Sequence, residues 1–197
     1  MPAATKTHAA TAKADPFQLN YAPHPGMFKA SDGKDVIDQI KFAHEAGFRS
    51  WEFNGLPKEP IEVQQKVGDT LKQLEMTMGV FVAHANFDRP TFVHGSKTDQ
   101  AEILADIKSA VAVAKRCGAK WMTVVPGSVD QQHAGSTDGD QAAKWNKYGG
   151  ARLSEGYQTA NAIQMLRRCA EILEAEDLVM VLEPLNEHTI TSHEVAT

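Results

Sequence analysis

The chain has 197 residues, 42% of them hydrophobic, with 25 acidic against 20 basic side chains and a net charge of −5. This composition suffices for one domain with a sizeable core and excludes collagen-like, coiled-coil and disordered chains. It supplies no basic stripe for a nucleic-acid backbone, and no apolar run approaches the ~20 residues that a membrane span needs, so neither nucleic acid nor membrane is expected as a partner.

Residues 1–16, MPAATKTHAATAKADP, lack an apolar h-region and read as a disordered tail rather than a secretory signal. The absence of acidic residues before Asp15 leaves a leader remnant or transit-type segment as the other reading. From residue 17 to 197 short apolar runs alternate with amphipathic stretches, the order expected of a parallel sheet with crossover helices. The first strand is expected at Phe17–Tyr21, followed by a turn with Pro23, Pro25 and Gly26. A helix from about Lys34 to Ala46 follows, with Val36, Ile40 and Ala43 inward and Gly47 at its end.

The second strand, Ser50–Phe53, leads through Gly55 and Pro57 to a helix opened by Pro60, with Val63, Val67, Leu71 and Leu74 inward. The third strand, Met78–Val82, runs into a polar loop with His84, Asn86, Asp88, Arg89 and His94. The helix Asp99–Cys117 then turns Ile103, Ile107, Ala110, Val111 and Ala114 inward and stops at Gly118. Strand four is Trp121–Val125, and about thirty residues without period follow, Gly127 to Gly156. Loops of this length in compact domains are usually functional or disordered. Helix four, Tyr157–Ala175, presents Ile163, Leu166, Ala170 and Leu173 inward, and strand five is Val179–Leu182. Cys117 and Cys169 fall on apolar helix faces without ligand spacing and read as reduced core thiols. A soluble, cytoplasmic protein is expected.

Five strands and four helices in alternation fit an open doubly wound sheet or a (β/α)8 TIM barrel. The barrel is favoured, because no Gly-rich phosphate turn follows strand one and polar residues gather after every strand. A typical barrel takes ~250 residues, so the barrel is expected to be incomplete here.

Glu183 follows the apolar residues Val179–Leu182, which puts a carboxylate at the C-terminal end of a strand expected to be buried, with Pro184 preventing continuation. Burying a lone carboxylate is costly unless it is paired or holds a metal, so Glu183 is the leading catalytic candidate and a candidate ligand for Mg²⁺ or Mn²⁺. The bland alternative is an ion pair with a barrel Lys or Arg. His84 and Asn86 at the end of strand three and His24 at the end of strand one are candidates for substrate binding on the same rim. Glu52, between Trp51 and Phe53, is a barrel-interior polar residue or a second site carboxylate. The stretch WNKYGGARLSEGY holds Trp145, Lys147, Tyr148 and Arg152 among glycines, which suits a lid over a small polar ligand; Trp145 and Arg152 are its candidate substrate-binding residues.

The segments NYAPHPGMF, DVIDQIKFAHEAGFRSWEFNG, MTMGVFV, AKWMTVVPG, EGYQTANAIQMLRRCAEILE and VMVLEPLN together resemble the hydroxypyruvate isomerase-like branch of the xylose isomerase-like (sugar phosphate isomerase/epimerase) TIM barrels, over residues 18–186. The resemblance implies a complete eight-stranded barrel, with Glu183 as the first of two catalytic glutamates and a metal ligand in the epimerase relatives. It implies that an Asp, a His and a second Glu from strands six to eight complete the site, and no sequence here holds them. Glu187-His188-Thr189 departs from the Arg that many relatives carry four residues after the glutamate.

The expected activity is proton transfer through an enediolate of a small hydroxy-carbonyl substrate, as in hydroxypyruvate to tartronate semialdehyde, with metal-dependent ketose 3-epimerisation as the alternative. A metal-dependent endonuclease on the same barrel is disfavoured by the acidic balance. A non-catalytic barrel fragment, associating through unpaired strand edges or as a homo-oligomer, is the rival of another class.

Overall fold

Among the described residues every strand pairing is parallel. The computed structural model describes residues 15–33, 35–86, 90–127 and 153–183. In chain order these hold α1 (Lys29–Asp32), α2 (Val36–Glu45), β1 (Ser50–Trp51), a 3-10 turn (Leu56–Lys58), α3 (Ile61–Gln73), β2 (Thr77–Met78) and β3 (Val82–Ala85). Then come α4 (Thr91–His94), α5 (Lys97–Cys117), β4 (Trp121–Val125), α6 (Glu155–Glu174) and β5 (Val179–Leu182). β1 pairs with β2, and β3, β4 and β5 form a three-stranded sheet in that order. This is the alternation of a parallel barrel, carried through part of its circumference.

The single third strand of the sequence reading is two strands, because the run 77–85 changes partner. Gly79 N–H donates to Trp51 O at 2.8 Å and Phe53 N–H to Val80 O at 3.1 Å, whereas Phe81 O accepts from Thr123 N–H at 2.8 Å. β1 is correspondingly shorter than the expected Ser50–Phe53. The expected strand at Phe17–Tyr21 does not form. Its Tyr21 N–H turns back to Leu19 O, and Phe17, Leu19 and Tyr21 are 45%, 63% and 53% exposed. Pro23 O reaches β1's end, accepting from Glu52 N–H at 2.9 Å.

Local chemistry fixes the helices. Asp35 caps α2, its carboxylate accepting from Ile37 N–H at 2.8 Å and Asp38 N–H at 3.4 Å. Ser96 does the same for Asp99 at α5, and Gly118 ends that helix with φ 71°, in the left-handed region where a side chain is disfavoured. α2 packs on α3, α3 on α5 and α5 on α6, enclosing a core that includes Trp51, Phe81, Ile40, Leu71, Ile103, Ile107 and Met122. Each such fully buried aliphatic side chain contributes about 1.5–3 kcal/mol. α6 keeps Leu166, Ala170 and Leu173 on its inner side as expected and departs at Ile163. Met165, Cys169 and Leu173 form its inner stripe, and Ile163 is 46% exposed, because the i, i+4, i+8 row through Cys169 is the one that meets the core.

Both cysteines are free and buried. Burial pushes the Cys169 thiol up to about 11, with the Arg168 charge working the other way, and burial raises Cys117 as well. Neither thiol is therefore expected to react with a thiol reagent at pH 8 in the folded protein, while both react once guanidinium unfolds it. Immediate labelling of the native protein would contradict this packing.

Candidate active site

Glu183 stands one residue beyond β5. Its N–H donates to Val124 O at 3.1 Å, which holds it in line with the sheet. The register pairs His84 with Val124 and Val124 with Leu182, so Glu183 lies one step past them, level with Val125 and Ala85 at the C-terminal ends of β3 and β4. The strand is less buried than the sequence reading expected. Val179 and Leu182 are 52% and 44% exposed and Glu183 is exposed, because β4 is the only strand beside β5 among the described residues.

His84 belongs to β3 rather than to the loop after it, and a bulge decides where it points. Val82 pairs with Thr123 and His84 with Val124, so two steps on β3 match one step on β4. Strict alternation from Val82 would keep His84 on Val82's face; the extra residue turns it to the other. That face is the helical one. The His84 ring is buried against Phe92, with centroids 5.7 Å apart, and its Nδ1–H donates to Asp106 Oδ2 of α5 at 2.7 Å. Its Nε2 is buried and has no hydrogen-bond partner among the described residues. By alternation Glu183 faces away from Leu182, on the sheet side opposite His84. The two strand-end candidates thus share a rim but not a face. Asp106 was missed in the sequence, where its only signal is its place between the inward Ile103 and Ile107.

A second polar group sits at the C-terminal end of β1. Glu52 is half-buried between the buried Trp51 and Phe53, and its Oε1 accepts from Asn54 Nδ2 at 2.7 Å. Beside it His24, Pro25, Phe53, Asn54 and Gly55 line an open depression of about 280 Å³. His24 is exposed and its Nδ1–H donates to Pro25 O at 3.0 Å. Asn86 is half-buried just past β3. Trp145, Arg152, Lys147 and Tyr148, the expected lid residues, lie outside the described residues, as do Asp88 and Arg89.

Among the described residues no group of three or more His, Cys, Asp and Glu side chains could hold a metal ion. Glu183 is one oxygen donor there, without a completed ligand set. No helix of the described residues is long and apolar enough to cross a membrane.

Solved structures similar in fold include the 3-keto-D-glucoside 4-epimerase YcjR from E. coli, 14% identical, over 86% of this chain and 57% of that one, with a TM-score of 0.59. A sugar phosphate isomerase/epimerase from Parabacteroides distasonis is 10% identical over 93% and 56% of the two chains, with a TM-score of 0.52. A mannonate dehydratase from Streptococcus suis is 8% identical over 82% and 52%, with a TM-score of 0.51. The chain therefore spans a little over half the length of these neighbours. No curated protein matches it by sequence. The family model described as the xylose isomerase-like TIM barrel matches residues 40–196. With most of its length inside that match, the chain belongs to the xylose isomerase-like TIM barrel family.

Proposed function

We propose that the protein is part of a sugar or hydroxy-acid isomerase or epimerase in which Glu183 moves a proton on the carbon α to a carbonyl. The observation that carries this reading is the placement of an exposed carboxylate at the C-terminal end of β5, on the sheet face turned away from the helices. Catalytic groups of parallel barrels sit on that rim, and a carboxylate there acts as a general base once a hydroxy-carbonyl compound lies within hydrogen-bond reach. Returned to the neighbouring carbon, the proton gives aldose–ketose isomerisation, as in hydroxypyruvate to tartronate semialdehyde. Returned to the opposite face of the same carbon, it gives a ketose 3-epimer. The proposal includes Mg²⁺ or Mn²⁺, which when bound would stabilise enediolate charge, with Glu183 as a residue to hold it.

The test is incubation of hydroxypyruvate and of a ketose in deuterated water. A lone base removes a proton and lets solvent replace it, so deuterium at the α carbon of recovered substrate is expected even where little isomer accumulates. In isomerised product the label appears on the neighbouring carbon; in epimerised product it appears on the inverted one. No label from either compound over days would sink the reading. Among the described residues β5 has no strand on its far side, which favours one rival, a barrel fragment with little or no net turnover by itself.

A further inference from the structure

The chain is acidic overall, yet one end of the fold reverses that sign. At the N-terminal ends of β1, β2 and β4, the end opposite Glu183, lies a cavity of about 810 Å³ that α3 and the end of α5 also border. Four of its lining residues are cationic, Lys72, Lys115, Arg116 and Lys120, and one, Asp69, is anionic. Gln65 Nε2 donates to the Asp69 carboxylate at 3.1 Å. Lys115 and Lys120 reach Glu176 and Asp177 at 2.7 Å and 2.6 Å, carboxylates that do not line the cavity. Both ion pairs are exposed and therefore weak, and an ammonium with three donors can serve a second anion alongside the first.

Beside these charges the lining is apolar at Leu71, Met76, Met78, Val80 and Trp121. Leu71, Met76 and Met78 are nearly buried, whereas Trp121 is 55% exposed, a large aromatic surface left outside the core. An apolar lining with a few polar groups, in a volume within the roughly 300–1,000 Å³ of small-molecule sites, is how ligand pockets are built. We infer that this cavity binds a small organic anion with a flat apolar body. The ring system covers the exposed Trp121 surface, and the anionic head is drawn to the cluster of Lys72, Lys115, Arg116 and Lys120. The inference stands apart from the proton-transfer reading, because Glu183 lies at the other end of the sheet, the end where parallel barrels carry their chemistry. A ligand held here therefore acts by stabilising the fold through mass action and does not itself react.

The experiment titrates the 197-residue protein with 2-naphthoate and with its neutral isostere 2-naphthamide, followed by protein-observed NMR. It compares the wild type with Lys72→Glu, Trp121→Ala and Glu183→Gln, and circular dichroism verifies that each variant is folded. 2-Naphthoate is expected to bind the wild type more tightly than 2-naphthamide, to shift the Trp121 indole N–H signal, and to weaken as salt is raised while the amide does not. Lys72→Glu should weaken 2-naphthoate about fivefold and leave the amide unchanged, since it alters charge alone. Trp121→Ala should weaken both probes about tenfold, since it removes the aromatic surface. Glu183→Gln should change neither. Equal affinities for the two probes, an anion affinity indifferent to salt and to Lys72→Glu, or shifts centred on Leu182 and Glu183 would overturn the site. So would the absence of binding, including exclusion of the probes by self-association through this face, which sedimentation detects.

Discussion

Gly68→Ala is expected to lower the stability of the protein by about 1–3 kcal/mol, against the usual effect of such a change in a helix. Intrinsic propensity favours alanine over glycine by about 0.5–1 kcal/mol in a helix interior. Here, however, a Cβ at position 68 of α3 would run into Arg116 O and lie 2.8 Å from the Cys117 Cα at the end of α5. Those are backbone atoms, which cannot swing aside as a side-chain end does, so the helices must separate. Their contact is also held by Arg116 Nε donating to Gln64 Oε1 at 2.8 Å, one turn earlier on α3. The steric effect therefore outweighs the propensity. Thermal unfolding measures it, at about 2–4 °C per kcal/mol for a chain of this size. Gly156→Ala is the control, because nothing lies within 4 Å of its added methyl, and it should raise the midpoint slightly. A midpoint unchanged or raised in Gly68→Ala would show that α3 and α5 do not approach as described.

The second large effect is on chemistry. Glu183→Gln is expected to slow α-proton exchange of a bound hydroxy-carbonyl compound by 10²- to 10⁴-fold, roughly the range contributed by a general base. Glutamine preserves the shape but not the basicity of the side chain. Since Glu183 is exposed, the change should leave the melting temperature nearly where it was, within about 0.5 kcal/mol in stability. Exchange followed by NMR in deuterated water, alongside thermal melts, separates the two readouts. A variant that exchanges within a few-fold of the wild-type rate would assign the proton to another group.

How far the sequence was legible depended on which force placed each element. β4 and β5 lie to the residue where the apolar runs Trp121–Val125 and Val179–Leu182 put them, since a short run bounded by turn residues has one way to pair. α3 begins after Pro60, and α5 ends at Gly118, because proline and glycine set those boundaries by their own backbone restrictions. The run 77–85 reads as one strand but forms two, because its partner changes from β1 to β4 midway, a tertiary choice with no local signature. Phe17–Tyr21 has strand-forming residues, yet a strand needs a ladder, and apart from Phe17 N–H to Gly47 O and the bond at Pro23 it finds little. Glu183 was located by chain position alone; the burial assigned to it was not, because exposure depends on what stands beside β5. Residue type suggests His84 as a rim candidate, but its direction follows from a bulge that composition does not reveal.

That bulge gives one residue a large lever. In a strand the side-chain period is two, so a single insertion reverses the phase of everything beyond it. Between Val82 and His84 the insertion hands the imidazole to α5 and Asp106 and leaves Ala85, level with Glu183, on the opposite face. A polar ring is thereby exchanged for a methyl group at the mouth of the sheet without altering the composition of the strand. Two chains of this family with the same letters near this strand end would differ in what they offer a ligand if one carried the bulge and the other did not. Comparison of sites across such relatives therefore has to follow strand phase as well as residue identity.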